Sequence, residues 1–363
     1  MAMAHHTKRS ARITIGLDLG DKYSHLHAVD SGGNMVEEGR VRTTPEDFKK
    51  RFEGMAPAVV ALEAGTHSPW AYEVITRCGH EVILANPRKV ALISKNEQKS
   101  DENDPELLGR LARVDRKLLR PIQPRAHKEQ TALAQVRARD CLVSARTKLI
   151  NHVRGVVKSF GGRTNGISVE RFHVVAEERI PAEIREALRP LLEIIGELKE
   201  KIGRYDKEVE RLCKKEYPET KRLRQIMGVG ALTALAYLLV IGDPKRFKRS
   251  RNVGPYLGLT PGKDDSGEHE PELGITKAGD GFLRRLLVSS AHYILGPFGP
   301  DTDLRRHGEK IAARGKKKAK RRAIVAVARK LAVLLHHLLI TGEEYEPLRN
   351  ATRTEKKSRK ERS

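Results

Sequence analysis

The hydrophobic pattern of the chain changes character about a third of the way along. Residues 12–19, RITIGLDL, alternate β-branched and small residues and predict a strand, as do 24–30, SHLHAVD. The SGG at 31–33 is a hairpin turn, and 34–42 supplies a third strand. Thr44-Pro45-Glu46 opens a helix to about Phe52, with Thr as cap and Pro at the first helical position. The short apolar run 58–63, AVVALE, lies between Pro57 and Gly65 and predicts a buried strand. A helix follows from about Ser68 to Cys78, stopped by Gly79, and then a fifth strand at 81–85, EVILA. Three meandering strands followed by alternating helices and strands predict a mixed α/β sheet.

From about 103 the spacing becomes helical. Over 127–160 the apolar positions Leu133, Val136, Leu142, Ala145, Leu149, Val153, Val156 and Phe160 fall roughly on one face. Residues Leu191, Ile195, Leu198, Ile202, Tyr205, Val209 and Leu212 follow at alternating intervals of four and three, a heptad seam. Such a seam suits either a helix hairpin, the second helix packing on the first, or a dimerising coiled coil. Gly228-Val229-Gly230 separates two further helical segments within 221–242. Residues 255–276, rich in Gly, Pro and acidic side chains, predict a loop. Helices are expected over 279–295 and from Lys320 to Ile340, and the tail 351–363, with six basic and two acidic residues, is expected to be disordered.

Charge adds a second division. The 363 residues carry 70 Lys and Arg against 47 Asp and Glu, a net charge of +23. That excess implies a polyanionic partner, most often nucleic acid. Residues 1–105 hold 14 basic against 15 acidic side chains, so the excess lies wholly in the later part of the chain. Aromatics make up only 4%, which argues against base stacking as the main mode of binding. Cys78, Cys141 and Cys213 are widely spaced and form neither a zinc pattern nor a disulfide framework. Residues 1–12 contain no apolar signal segment, and the longest apolar run, Leu232 to Ile241, is half a membrane span. A cytoplasmic, nucleoid-associated protein without membrane contact is the expectation.

The candidate chemistry begins with carboxylates. Asp18 ends the first strand in GLDLG, Glu63 ends the fourth in ALEAG, and Asp101 and Asp104 stand at i and i+3 in KSDENDPE near a helix start. Four carboxylates from three segments can converge at the carboxyl edge of a sheet. There they could hold two Mg²⁺ ions against the attacking and leaving oxygens of a phosphodiester. Singly, each is also an ordinary turn or cap residue. GLDLGDKYS further resembles the phosphate-binding hairpin of actin-like sugar kinases and chaperone ATPases. Those need a second such hairpin, and Asp280-Gly281, the only later candidate, lies in a basic helical context. His25, His27 and His67 lie near the carboxylates, and His67, four residues after Glu63, is a candidate acid–base assistant.

The element order resembles the ribonuclease-H-like fold. The stretch 257–287, LGLTPGKDDSGEHEPELGITKAGDGFLRRLL, makes a resemblance specific. Its GLTP, SG, ITKAGD and FLRRLL are similar to the C-terminal transposase domain of the insertion-sequence one-ten family. AHYILGPFGPDTDLRRHG and KKAKRRAIVAVARKLAVLLH resemble that family's eleven-eleven branch. The resemblance spans 12–348 and implies a RuvC-like catalytic domain at 1–125. It further implies a helical, coiled-coil spacer at 126–215, a mostly helical transposase domain at 216–350 and a basic tail at 351–363.

By the same resemblance, Asp18, Glu63, Asp101 and Asp104 bind Mg²⁺, and Ser266 is a nucleophile that becomes joined to DNA. A non-coding guide RNA pairs with donor and target DNA, and a homodimer assembles to a tetramer. Two departures stand out: Met227 where the family often has Pro, and Asp264-Asp265 just before the serine. Gly228 and Gly230 resemble a helix-hairpin-helix turn whose amides could hold a phosphate. Packing of the two helices explains those glycines equally well. Lys277, Arg284 and Arg285 flank the serine loop, and Lys316, Lys317 and Lys318 belong to the basic run 314–322; all six are candidate nucleic-acid contacts. Two alternatives remain: a RuvC-like nuclease that uses water without a covalent serine, and a non-catalytic RNA-binding module.

Overall fold

The computed structural model describes residues 13–87, 103–262, 273–315 and 317–350. The chain is mixed α/β with one small sheet and a mostly helical remainder, and it divides into two compact units at Ala126 and His127.

The first unit is built on five strands: β1 (Thr14–Asp18), β2 (Tyr23–Val29), β3 (Met35–Arg42), β4 (Val59–Glu63) and β5 (Glu81–Ala85). Their order is β3-β2-β1-β4-β5. The first three form an antiparallel meander, and β4 and β5 run parallel to β1. Every expected strand is present, within a residue or two of its expected ends. On one face Ile15, Leu17, Leu26, Val60 and Leu62 pack against α1 (Pro45–Phe52) and α2 (Ser68–Arg77). On the other, Val59, Ala61, Ile83 and Ala85 pack against Leu108 and Ala112 of α3 (Asn103–Val114). This is a three-layer arrangement that follows from the period-two alternation of the strands.

Local chemistry fixes the first layer. Thr44 caps α1: its hydroxyl accepts from the Asp47 amide at 3.2 Å and donates to the Asp47 carboxylate at 2.8 Å. Phe48 and Phe52 are fully buried, and Phe48 meets Trp70 edge-on at 4.9 Å. His80, 4% exposed, ties this layer to the sheet. Its Nδ1 accepts from the Ala58 amide at 3.2 Å, so the proton sits on Nε2, which donates to the Phe52 carbonyl at 2.9 Å.

The second unit starts with two long helices, α4 (His127–Ser159) and α5 (Ala182–Lys215). Ile150, Val153 and Val157 of α4 and Ile184, Leu188, Leu192 and Ile195 of α5 enclose one apolar cluster with Phe172 and Ile180. Of the heptad seam, Ile195, Ile202, Val209 and Leu212 are buried within the chain, as in a helix hairpin, and Leu191, Leu198 and Tyr205 are half-buried. On α4 the buried face also differs from the sequence expectation: Ala145 and Phe160 are exposed, while Ile150 and Val157 are buried. A straight helix drifts relative to a fixed spacing, and over 33 residues the contact face moves round it.

The base of the hairpin, through Leu133, Val136, Val209 and Leu212, joins a larger core around α6 (Ala231–Ile241). Helices α7 (Gly281–Leu295), α8 (Asp303–Ala312) and α9 (Lys317–Thr341) contribute to that core. Among the described helices, α9 alone is long and apolar enough to cross a membrane by length and composition, which the run Leu232 to Ile241 did not suggest. Its Val327, Ala328, Leu331, Ala332 and Leu335 are fully buried in the core, and the Ala332 carbonyl accepts from the buried Tyr237 hydroxyl at 2.6 Å.

His80→Ala should cost about 2–3 kcal/mol in denaturant unfolding, because it strands the buried Ala58 amide and leaves the Phe52 carbonyl only its 3.4 Å bond from the Met55 amide.

Candidate active site

The direction of α3 decides where its acidic N-terminus lies. Near its C-terminal end, Arg110 donates to the Gly33 carbonyl and Arg113 to the Ser31 carbonyl, each at 3.2 Å. These belong to the turn after β2, and β2 ends at Val29 opposite Thr14, the first residue of β1. Helix α3 thus runs antiparallel to β1. Its first turn, with Asp104, points to the end where β1 finishes in Asp18.

The contact between helix and strand is backbone on backbone. A Cβ on Gly16 would overlap the Pro105 carbonyl oxygen, and one on Gly109 would lie 3.0 Å from the Gly16 amide nitrogen. Two glycines let the helix lie directly on the strand. Side chains alternate along a strand, so Asp18 shares the face of Gly16, which is the α3 face. Ala61 pairs with Gly16, so Glu63, two residues further on, shares it too. Leu17 pairs with Leu62. Asp18 and Glu63 are then the next residues on neighbouring parallel strands, about 4.8 Å apart. Asp104 immediately precedes the Pro105 that touches Gly16.

Three of the four predicted carboxylates therefore lie toward one edge of the sheet, each half-buried. Asp18 and Glu63 are both engaged in polar interactions. Asp101 falls outside the described residues. Among the described residues no three His, Cys, Asp or Glu side chains are close enough to hold a metal ion as they stand. The donor chemistry nevertheless suits one: these are hard carboxylate oxygens.

The histidines divide. His25 pairs with Asp18 across β1 and β2, on the same face. His27 pairs with Gly16 beneath α3, and its Nε2 is buried with no hydrogen-bond partner. His67 is turned to other work: Nδ1 accepts from Trp70 Nε1 at 3.3 Å, and Nε2 lies 3.6 Å from Asp21. Sequence reasoning missed the pairing of His25 with Asp18 and the contact of Gly16 with Gly109. The signal for the second was present as a glycine inside a buried strand and another on the apolar face of the helix that crosses it.

In the second unit Ser266 lies outside the described residues, but the two arms that lead to it do not. Part of the predicted loop is a short ribbon. Pro261 bridges Ile275, and the Gly262 amide donates to Gly274 at 2.9 Å, Thr276 to Thr260 at 3.0 Å and Lys277 to Gly258 at 3.2 Å. Gly258 and Gly279 have φ of +65° and +79°, and a Cβ at either would overlap the opposite arm's backbone.

The three cations beside the ribbon are used differently. Arg284 donates through Nη1 to the carbonyls of Leu257 at 3.1 Å and Ala278 at 3.0 Å, stapling the arms. Arg285 pairs with Asp140 at 2.6 Å. Lys277 is exposed, has φ of +53° and makes no ion pair among the described residues. For a residue with a side chain that backbone costs about 1–2 kcal/mol.

Of the remaining predicted contacts, Gly228 has φ of +92°, which favours glycine whatever the space, and its Cβ position lies a tight 3.1 Å from the Tyr293 ring. Gly230 precedes α6 as an open N-cap without a side-chain hydrogen bond. Lys316 is outside the described residues, while exposed Lys317 and Lys318 open α9, whose first turn has no acidic residue. Cations at a helix N-terminus oppose the helix dipole. An anion bound there would offset that.

Comparison with known proteins names the class. Residues 15–161 match the transposase family DEDD_Tnp_IS110, and residues 220–302 match the transposase IS116/IS110/IS902 family. The chain is 30% identical to the transposase for insertion sequence element IS1111A of Coxiella burnetii, over 91% of this chain and 90% of that one. It is 32% identical to the putative transposase y4pF/y4sB of Sinorhizobium fredii, over 94% and 88% of the two chains. It is 31% identical to the transposase for insertion sequence element IS1328 of Yersinia enterocolitica, over 76% and 82%. The class is that of insertion-sequence transposases, DNA-processing enzymes. Within it, the chain belongs to the IS116/IS110/IS902 family.

Gly16→Ala should lift α3 off β1, costing about 3 kcal/mol or more and abolishing DNA processing. Gly109→Ala, whose Cβ has more room, should cost less. Thermal unfolding and a transposition assay on both variants check the order.

Proposed function

We propose that this transposase is an RNA-guided recombinase with a RuvC-like N-terminal domain and a covalent serine–DNA intermediate. The observation that supports it most is the placement of Asp18 and Glu63 at neighbouring strand ends, on the face crossed by the helix that carries Asp104 in its first turn. The sheet order β3-β2-β1-β4-β5, a meander followed by parallel strands, supports the ribonuclease-H-like reading of that domain. On this reading residues 126–215 act as a helical spacer, residues 216–350 as the transposase domain and 351–363 as a basic tail.

Asp18, Glu63, Asp101 and Asp104 would hold Mg²⁺, which when bound supplies positive charge to a scissile phosphate. Ser266 is the nucleophile. Its hydroxyl gives up a proton as Oγ bonds to phosphorus, and the sugar oxygen leaves and takes a proton. One phosphodiester replaces another, so the step is close to isoenergetic and a second sugar hydroxyl can reverse it onto a new strand without ATP. Ribbon closure by Gly258, Gly279 and Arg284 gives the serine-bearing segment fixed ends.

The partners are donor and target duplex DNA and a non-coding guide RNA. The net charge of +23, carried entirely beyond residue 105, suits both. Lys316, Lys317 and Lys318, with the Gly228–Gly230 turn, are proposed to contact phosphate backbone. Two duplexes need more than one active site, so a homodimer assembling to a tetramer is part of the proposal. The expected location is the bacterial cytoplasm, at the nucleoid.

Purified protein with its RNA, Mg²⁺ and labelled donor and target DNA should yield a covalent protein–DNA adduct that disappears in Ser266→Ala. Asp18→Asn or Asp104→Asn should lower strand cleavage by about 10²-fold or more. Cleavage that survives Ser266→Ala would instead mark a nuclease using water. RNA binding without any cleavage by the wild type would mark a non-catalytic module.

A further inference from the structure

Lys277 stands in a backbone conformation that L-residues avoid, at a place where the chain otherwise uses glycine. The ribbon has three positive-φ positions: Gly258 at +65°, Lys277 at +53° and Gly279 at +79°. The two glycines are required, because a Cβ at either would overlap backbone. At Lys277 a glycine would take the same φ without strain, so the backbone there gives no reason for a lysine.

The strain is held in place from both sides. The Lys277 amide donates to the Gly258 carbonyl at 3.2 Å. The next amide, Ala278, donates to the Thr276 hydroxyl at 3.4 Å, and the Ala278 carbonyl accepts from Arg284 at 3.0 Å. Over-determined, strained residues of this kind gather at functional sites.

The neighbouring cations are already spent. Arg284 is bonded to two carbonyls, and Arg285 is neutralised by Asp140. Asp280, the nearest carboxylate in sequence, accepts from the Leu283 amide at 2.8 Å and pairs with Arg137 at 2.8 Å. Lys277 is left as an exposed ammonium with no ion pair among the described residues.

We infer that Lys277 grips a DNA backbone phosphate at the foot of the ribbon, and that its strained backbone is retained to present the ammonium there. An ammonium is a compact point charge that suits one phosphate without reading sequence. The inference rests on the transposase reading, and it assigns this residue a role in binding rather than in the covalent step.

The test is duplex-DNA binding by full-length wild type, Lys277→Gly, Lys277→Asn and Lys277→Arg over a range of salt, with thermal unfolding of each. Loss of one phosphate contact should make the log–log salt dependence shallower by about 0.9 in both Lys277→Gly and Lys277→Asn. Lys277→Arg should keep the wild-type slope. Lys277→Gly should melt at or above the wild-type temperature, since it relieves the strain. An unchanged slope in Lys277→Gly and Lys277→Asn overturns the inference, as does a lower melting temperature in Lys277→Gly, which would make the lysine structural. Absence of any covalent adduct in the wild type would defeat the serine mechanism, while the salt slope would still decide the role of Lys277.

Discussion

The contact between Gly16 and Gly109 is the constraint on which the candidate active site depends. A helix normally rests on a sheet through interdigitating side chains that keep the two backbones apart. Here α3 sits directly on β1, because neither residue has a Cβ to keep them apart. The close approach brings the first turn of α3 down to the level of the strand ends. Asp104 can then share an edge with Asp18 and Glu63, which end separate strands but lie on one face of the sheet. The arginines at the other end of α3, bonded to the turn after β2, set the direction of the helix and so decide which edge receives the acid.

Much of this was legible in the sequence, and the reasons differ by element. The strands could be read because alternation with a period of two fixes two faces. Asp18 and Glu63 could be placed at strand ends because each follows an apolar run and precedes glycine within two residues. The direction of α3 could not be read, since it depends on two arginine-to-carbonyl bonds between residues 77 and 82 positions apart. The heptad seam was ambiguous for a physical reason: a hairpin and a coiled coil bury the same stripe, and only the position of α4 distinguishes them. The use of Arg284 and Arg285 was equally hidden, because a cation in a sequence does not announce whether it meets a carbonyl, a carboxylate or solvent.

The charge excess acquires a finer meaning from these contacts. Many basic side chains of the helical unit are neutralised internally, among them Arg137 by Asp280, Arg139 by Asp206 and Arg224 by Glu210. Net charge therefore overstates what any one surface offers to nucleic acid. The informative cations are those whose position costs the fold something: Lys277 in its left-handed backbone, and Lys317 and Lys318 at the positive end of α9.

The central proposal is that the edge shared by Asp18, Glu63 and Asp104 binds a divalent metal. Anomalous diffraction from crystals of the protein with DNA and the proposed guide RNA, soaked in Mn²⁺, tests it most directly. A peak among these three carboxylates, lost in Asp18→Asn, is the predicted result. A complex that cleaves DNA in Mn²⁺ with no peak at that edge would contradict it.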